Sequence, residues 1–290
     1  MKSQKIGFVA AIIAAILMGG FGVLVRNVSM DGHIVAFSRL VLGFLFLTVY
    51  LLIRRNWQVF KIKFSAALFF SGIFLALGVV FYIASVKATT LANAVFLLYL
   101  APLIVSILGH FYLKEKISAL NIALILLAFI GFLCLLEFNF SLAETAMRGQ
   151  LFGLAAAFSY AFFILANRKI DPVMSGYSRA FYQLLCSSLV LLPFVGKIDL
   201  SALYQDAVWL LAIGFFQGFL AISLMTLALR HLQSYEYATV SYLDTIVATI
   251  AGYFIYQESL SWLQITGCVL IFAAGIMQIW VSMKNFEKQV

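Results

Sequence analysis

Stretches of about twenty apolar residues follow one another through this chain with only a few polar residues between them, and that pattern leaves one kind of fold. From 6 to 25 there is no charged side chain at all. A helix of that length, rising about 1.5 Å per residue, crosses a hydrocarbon layer about 30 Å thick and satisfies its own backbone groups. Ten such spans can be marked: 6–25, 33–53, 65–86, 91–113, 118–136, 149–166, 176–195, 207–229, 234–256 and 261–283. Lys2 and Lys5 precede the first span as in a signal peptide, but its length predicts a retained helix. The expected fold class is an all-α integral membrane protein with ten transmembrane helices.

Composition agrees. The 290 residues are 64% hydrophobic and 10% charged, against roughly 45–50% and 25% for a soluble domain. This excludes a nucleic-acid-binding domain, a secreted disulfide scaffold and a disordered chain. The three cysteines, Cys134, Cys186 and Cys268, each lie within an apolar run and read as small hydrophobes. The three histidines show no metal-ligand spacing, and no nucleotide-binding or metalloprotease motif occurs. No cofactor, metal or enzymatic activity is expected.

The net charge of +8 acquires its meaning from where the charges fall. With the N-terminus inside, 13 of the 19 Lys and Arg residues lie on inner segments, 4 on outer connectors, and 2, Arg39 and Arg179, within spans. The inner set includes Lys61, Lys63 and Lys288, and the outer set Lys197. This asymmetry predicts a plasma-membrane protein with both termini in the cytoplasm.

The two halves resemble each other at an offset of about 143 residues. Tyr99-Leu100 aligns with Tyr242-Leu243, Gly109 with Gly252, Glu115 with Glu258, and Ser118 with Ser261. Each half, 5–136 and 149–285, then holds five spans, and an odd number turns the second copy upside down. Inverted repeats characterise many secondary transporters, with a substrate site near the midplane between the halves.

The same segments resemble the EamA-type members of the drug/metabolite transporter superfamily. The features that carry the resemblance are Ala84-Ser85-Val86-Lys87, Leu100-Ala101-Pro102 and Leu113-Lys114-Glu115-Lys116-Ile117-Ser118, the last with Lys114 where the family has glycine. In the second half they are Tyr256-Gln257-Glu258-Ser259-Leu260-Ser261 and Gln264-Ile265-Thr266-Gly267. The chain departs from the family at Asp244-Thr245, where a proline is common. The resemblance implies ten helices in two inverted five-helix repeats, and movement of small metabolites, often amino acids.

Within the spans, polar residues mark the candidates. Asp244 falls near the middle of its span, where a carboxylate costs about 2.5–3.5 kcal/mol. It is expected to bind a substrate amine or a proton, or else to join helices structurally. Arg39, about 9 Å deep at 1.5 Å per residue, is expected to hold a substrate carboxylate through its planar fork, or to reach Asp244. Tyr82, Tyr99, Tyr160 and Tyr242 offer a ring face and a hydroxyl, and Gln183 and Gln217 complete the expected substrate-binding set. Arg179 and Glu236 are candidates for an inner gate. Glu115 and Glu258 are expected to end their helices. Spans 5 and 10 carry almost nothing polar over 122–136 and 267–277, so they are expected at the periphery, against lipid or as a homodimer face.

The reading is a secondary transporter that exports small organic metabolites, amino acids or related compounds, by alternating access. The rivals are a lipid or lipid-linked-sugar flippase, which needs polar residues on a lipid-facing helix, and a membrane-embedded enzyme, which needs a clustered nucleophile and base. A channel is disfavoured because no span carries a polar stripe along its length.

Overall fold

The computed structural model describes residues 2–60, 65–139, 147–196 and 200–287. Lys61, Lys63, Lys197 and Lys288 of the charge asymmetry lie outside them. Among the described residues the chain is helical, with no strand.

Eight helices are long and apolar enough to cross a membrane: Gln4–Val25, Gly32–Ile53, Ala66–Ala88, Asn93–Tyr112, Met147–Lys169, Leu200–His231, Ser234–Tyr256 and Trp262–Lys284. Two of the ten expected spans fall short of that length. The fifth is a helix of 17 residues, Ala119–Leu135, and the seventh one of 16, Gly176–Leu191. The fifth is bounded by the Ser118 side chain, which accepts from the Asn121 amide, and by Glu137 and Phe138 in the left-handed region. The seventh is relatively polar, with Arg179, Gln183, Ser187 and Ser188 all buried in it.

Three of the long segments are broken, and a fourth is rewound into a π-helical stretch. The first is α1 (Lys2–Gly19) and α2 (Phe21–Val25), divided at Gly20. After α3 (Gly32–Ile53) and α4 (Ala66–Ala88), the fourth divides into α5 (Leu91–Leu98) and α6 (Ala101–Tyr112), with Pro102 in the first turn of α6. Proline has no amide to donate there, so the break costs little. Then come α7 (Ala119–Leu135), α8 (Met147–Lys169) and α9 (Gly176–Leu191). The eighth segment runs as α10 (Leu200–Ala212), a π-helical stretch Ile213–Ala221, and α11 (Ile222–His231). The ninth divides at Tyr242 into α12 (Ser234–Ser241) and α13 (Leu243–Tyr256), and α14 (Trp262–Glu287) follows.

The fourth and ninth segments are alike in detail. Both break at the tyrosine shared between the halves, Tyr99 and Tyr242. Both end with a left-handed residue, Lys114 and Gln257, each at φ 55°. The next amide, Glu115 or Glu258, then closes back onto the carbonyl of Gly109 or Gly252, at 3.3 and 3.2 Å. Both glutamates therefore end their helices as expected, in one and the same turn.

Helices α7 and α14 pack along each other and cross where Gly131 faces Gly267. Their outer faces expose Ile122, Leu126 and Ile130, and Val269, Phe272 and Trp280. Just beyond the apolar stretches the inner face is polar. Gln278 of α14 is fully buried and donates to Asn121 of α7 at 3.4 Å and to Ser282 at 2.9 Å.

Candidate functional site

The breaks in the first, fourth and ninth segments meet. Tyr242 donates its hydroxyl to the Tyr99 carbonyl at 2.9 Å, and Tyr99 donates its own to the Asp244 carboxylate at 2.9 Å. The Tyr99 and Tyr242 rings lie 5.9 Å apart, and Phe132 of α7 stacks on Tyr99 at 4.5 Å. Asp244 sits in the first turn of α13, where the free amides and the helix dipole favour an anion. A Cβ at Gly19 would run into the Asp244 carbonyl, so glycine there lets the end of α1 close on the break.

Arg39 of α3 reaches the same region. Its Nη2 lies 3.2 Å from the Met18 sulfur, its guanidinium stands 5.1 Å from the centre of the Phe21 ring, and its buried Nε has no acceptor. Met18 and Phe21 flank the break in the first segment, so the guanidinium meets soft, polarisable partners and no carboxylate. A Cβ at Gly218 would collide with the Arg39 carbonyl, so the π-helical stretch and α3 touch backbone to backbone. π-Helical turns of this kind often stand at functional sites.

Arg39 and Asp244 do not meet. Among the described residues no ion pair joins them, and neither carries another. Tyr160 of α8 stands within electrostatic reach of both and beside Tyr237 of α12. Tyr82 of α4 lies within reach of Tyr99. Arg39, Tyr82, Tyr99, Tyr160 and Asp244 are each partly and not fully buried. Together they bring a cation, an anion and tyrosines near the helix breaks, with the two charges unpaired. Side chains of these kinds can take a carboxylate, an ammonium and an apolar body.

The remaining expected residues stand elsewhere. Tyr242 has no accessible surface and serves the break itself. Gln183 is equally buried, and its amide donates to Ser71 at 2.8 Å and Asn167 at 2.9 Å, tying α9 to α4 and α8. Gln217 is buried in the π-helical stretch and donates to the Leu17 carbonyl. Both glutamines join helices. Arg179 and Glu236 do not pair. The Arg179 guanidinium donates to the carbonyls of Asn167, Ile170 and Asp171 at 2.9, 3.2 and 3.0 Å, closing the end of α8. Glu236 accepts from Gln4 at 3.1 Å and from the Gln233 amide at 2.7 Å, at the start of α12. Tyr237, Met18 and Phe21 are absent from the expected set. Tyr237 lies two helical turns before Asp244, and that spacing was the available signal.

A multi-pass helical membrane protein with a charged, tyrosine-lined centre is the class this architecture defines. The chain belongs to the EamA-like transporter family, which matches residues 5–136 and again 147–280. An uncharacterized transporter of Archaeoglobus fulgidus is 27% identical over 96% of this chain and 98% of its own length. An S-adenosylmethionine uptake transporter of Rickettsia bellii is 24% identical over 76% of this chain and 74% of its own. A probable amino-acid metabolite efflux pump of Salmonella typhimurium is 28% identical over 60% of this chain and 62% of its own. A crystal structure shares the fold with a TM-score of 0.81 over 97% of this chain and 98% of that one, at 18% identity.

Proposed function

We propose that this chain is a secondary transporter of small zwitterionic metabolites, amino acids or close relatives, exporting them across the plasma membrane by alternating access. In this reading ten spans form two inverted five-helix repeats, 5–136 and 149–285, with both termini in the cytoplasm and the α7/α14 face open to lipid or to a second copy. The observation that carries it is the separation of Arg39 from Asp244. Two opposite charges kept mid-bundle without pairing are costly to hold there unless a ligand uses them.

Arg39 takes the substrate carboxylate through its fork, and Asp244 takes the ammonium or, with the site empty, a proton. The tyrosines face the remainder of the molecule. The named activities of the Rickettsia and Salmonella relatives support this chemistry, since S-adenosylmethionine and an amino acid both carry an ammonium beside a carboxylate. Alternating access follows from the repeat, because exchanging the conformations of the two halves exposes one central site to either side.

Proteoliposomes loaded with a panel of radiolabelled amino acids test the proposal. A zwitterion is expected to exchange, while the matching decarboxylated amine and deaminated acid compete poorly. With Asp244→Asn, flux driven by a pH gradient should vanish, while exchange at saturating substrate persists with a raised KM. Gradient-driven flux at the unaltered rate would remove Asp244 as the proton site.

A further inference from the structure

The turn that ends the fourth segment and the turn that ends the ninth are the same, but their glutamates are engaged differently. Glu115 is buried. Its carboxylate pairs with Arg168 at 3.2 Å and accepts from the first residue of α12, from the Ser234 amide at 3.1 and 3.2 Å and from its hydroxyl at 2.5 Å. One carboxylate thus clamps the ends of α6 and α8 to the beginning of α12, and Ser234 is 0% exposed. Glu258, at the other end of the bundle, pairs with Arg26 at 2.7 Å, and its side chain is 49% exposed.

The basic partners are exchanged between the halves. Glu115, in the first half, pairs with the end of α8, the opening helix of the second. Glu258, in the second half, pairs with the end of the first half's opening segment. Lys169 and Arg26 stand at the repeat offset of about 143 residues. Each also lies over an aromatic ring beside its glutamate's turn, Lys169 over Tyr112 at 3.5 Å and Arg26 over Tyr256 at 4.3 Å. What lacks a counterpart is the clamp on a helix start. The repeat partner of Ser234 is Leu91, the first residue of α5, and Leu91 is 61% exposed. That helix start is capped by its own Thr90 side chain, which accepts from the Asn93 amide.

We propose that Glu115 and Glu258 are alternating gate latches, and that Glu258 captures the start of α5 at Leu91 when Glu115 releases the start of α12 at Ser234. The structure is then the state closed at the Ser234 end and open at the Leu91 end. Glu258 is already in its turn and paired with its cation, so closure requires only that the start of α5 swing onto it. This rests on the alternating-access reading of the chain and adds to it the residues that hold each gate.

The test uses the full chain with Cys134, Cys186 and Cys268, none in a disulfide, replaced by alanine. Spin labels at Leu91→Cys and Ser259→Cys report the Leu91-end distance in lipid nanodiscs, and proteoliposome flux is measured in parallel. Glu115→Gln should raise the short-distance population at least threefold, and Glu258→Gln should abolish it and slow net flux about tenfold, the scale of one charge-assisted hydrogen bond. Should Glu115→Gln fail to fold, Ser234→Ala removes only the hydroxyl contact and should shift the distance the same way, to a smaller extent. Distances that neither Glu115→Gln (or Ser234→Ala) nor Glu258→Gln alters, beside intact flux in the parent protein, overturn the latches and leave the transport reading standing. Distances that shift as expected in a protein that moves no substrate uphold the latches and sink the transport reading.

Discussion

The Tyr242 hydroxyl donates to the main-chain carbonyl of Tyr99, its own counterpart in the other half of the chain, at 2.9 Å. Tyr99 uses its hydroxyl differently, on the Asp244 carboxylate. Two equivalent residues therefore divide the work at the centre, one closing the helix breaks against each other and one serving the charged group. Tyr242→Phe should cost about 1 kcal/mol of stability, the usual value of one hydrogen bond. Tyr99→Phe should cost at least as much, because the bond it removes goes to a carboxylate, and should in addition raise the KM of transport. Thermal unfolding and uptake kinetics on the two variants separate the roles, and identical profiles would contradict the division.

Arg39→Lys keeps the charge and loses the fork. If the guanidinium grips a carboxylate with two parallel hydrogen bonds, KM for a zwitterion should rise about tenfold while the maximal rate changes less. Uptake kinetics of the variant check this. A KM within twofold of the parent would show that only charge is used.

Gly218→Ala places a methyl group against the Arg39 carbonyl and Gly43. Overpacking of this kind costs about 1–3 kcal/mol, and here it also displaces the residue that carries the cation. Both the melting temperature and the affinity should fall. Gly22→Ala is the control, because a Cβ there meets nothing within 4 Å.

Arg179→Ala removes three donors from the carbonyls at the end of α8. The expected loss is about 1–3 kcal/mol, with transport per folded molecule unchanged. A specific loss of flux at full stability would restore a gating role to Arg179.

The contrast between Arg179 and Asp244 shows what a membrane sequence reveals. Asp244 could be singled out because one carboxylate in the middle of an apolar span is conspicuous whatever its direction. Arg179, Gln183 and Gln217 were equally conspicuous, yet each turns into a helix contact. Spans apolar on all sides carry no amphipathic stripe, so the face a lone polar residue occupies cannot be read from them. The break at Tyr99 was foreshadowed by Pro102. The matching break at Tyr242 has no proline or glycine, and only the repeat register, carried across from the first half, points to it. The glutamate turns were legible for the same reason, as a charged residue recurring in register.

The Gln183 contact bears on how the protein is made. The side chain donates at once to Asn167, at the end of the preceding helix in the second half, and to Ser71 in the first. Helix α9 is short and holds polar groups that cost energy to leave bare in hydrocarbon. The partners of its Arg179, Gln183 and Ser187 side chains are all synthesised before it. The emerging α9 therefore enters a membrane where α4 and α8 already present the groups it needs, and its insertion is an act of assembly. A gene cut between the halves would leave the second polypeptide without Ser71, so the order of the chain is also the order in which its polar debts can be settled.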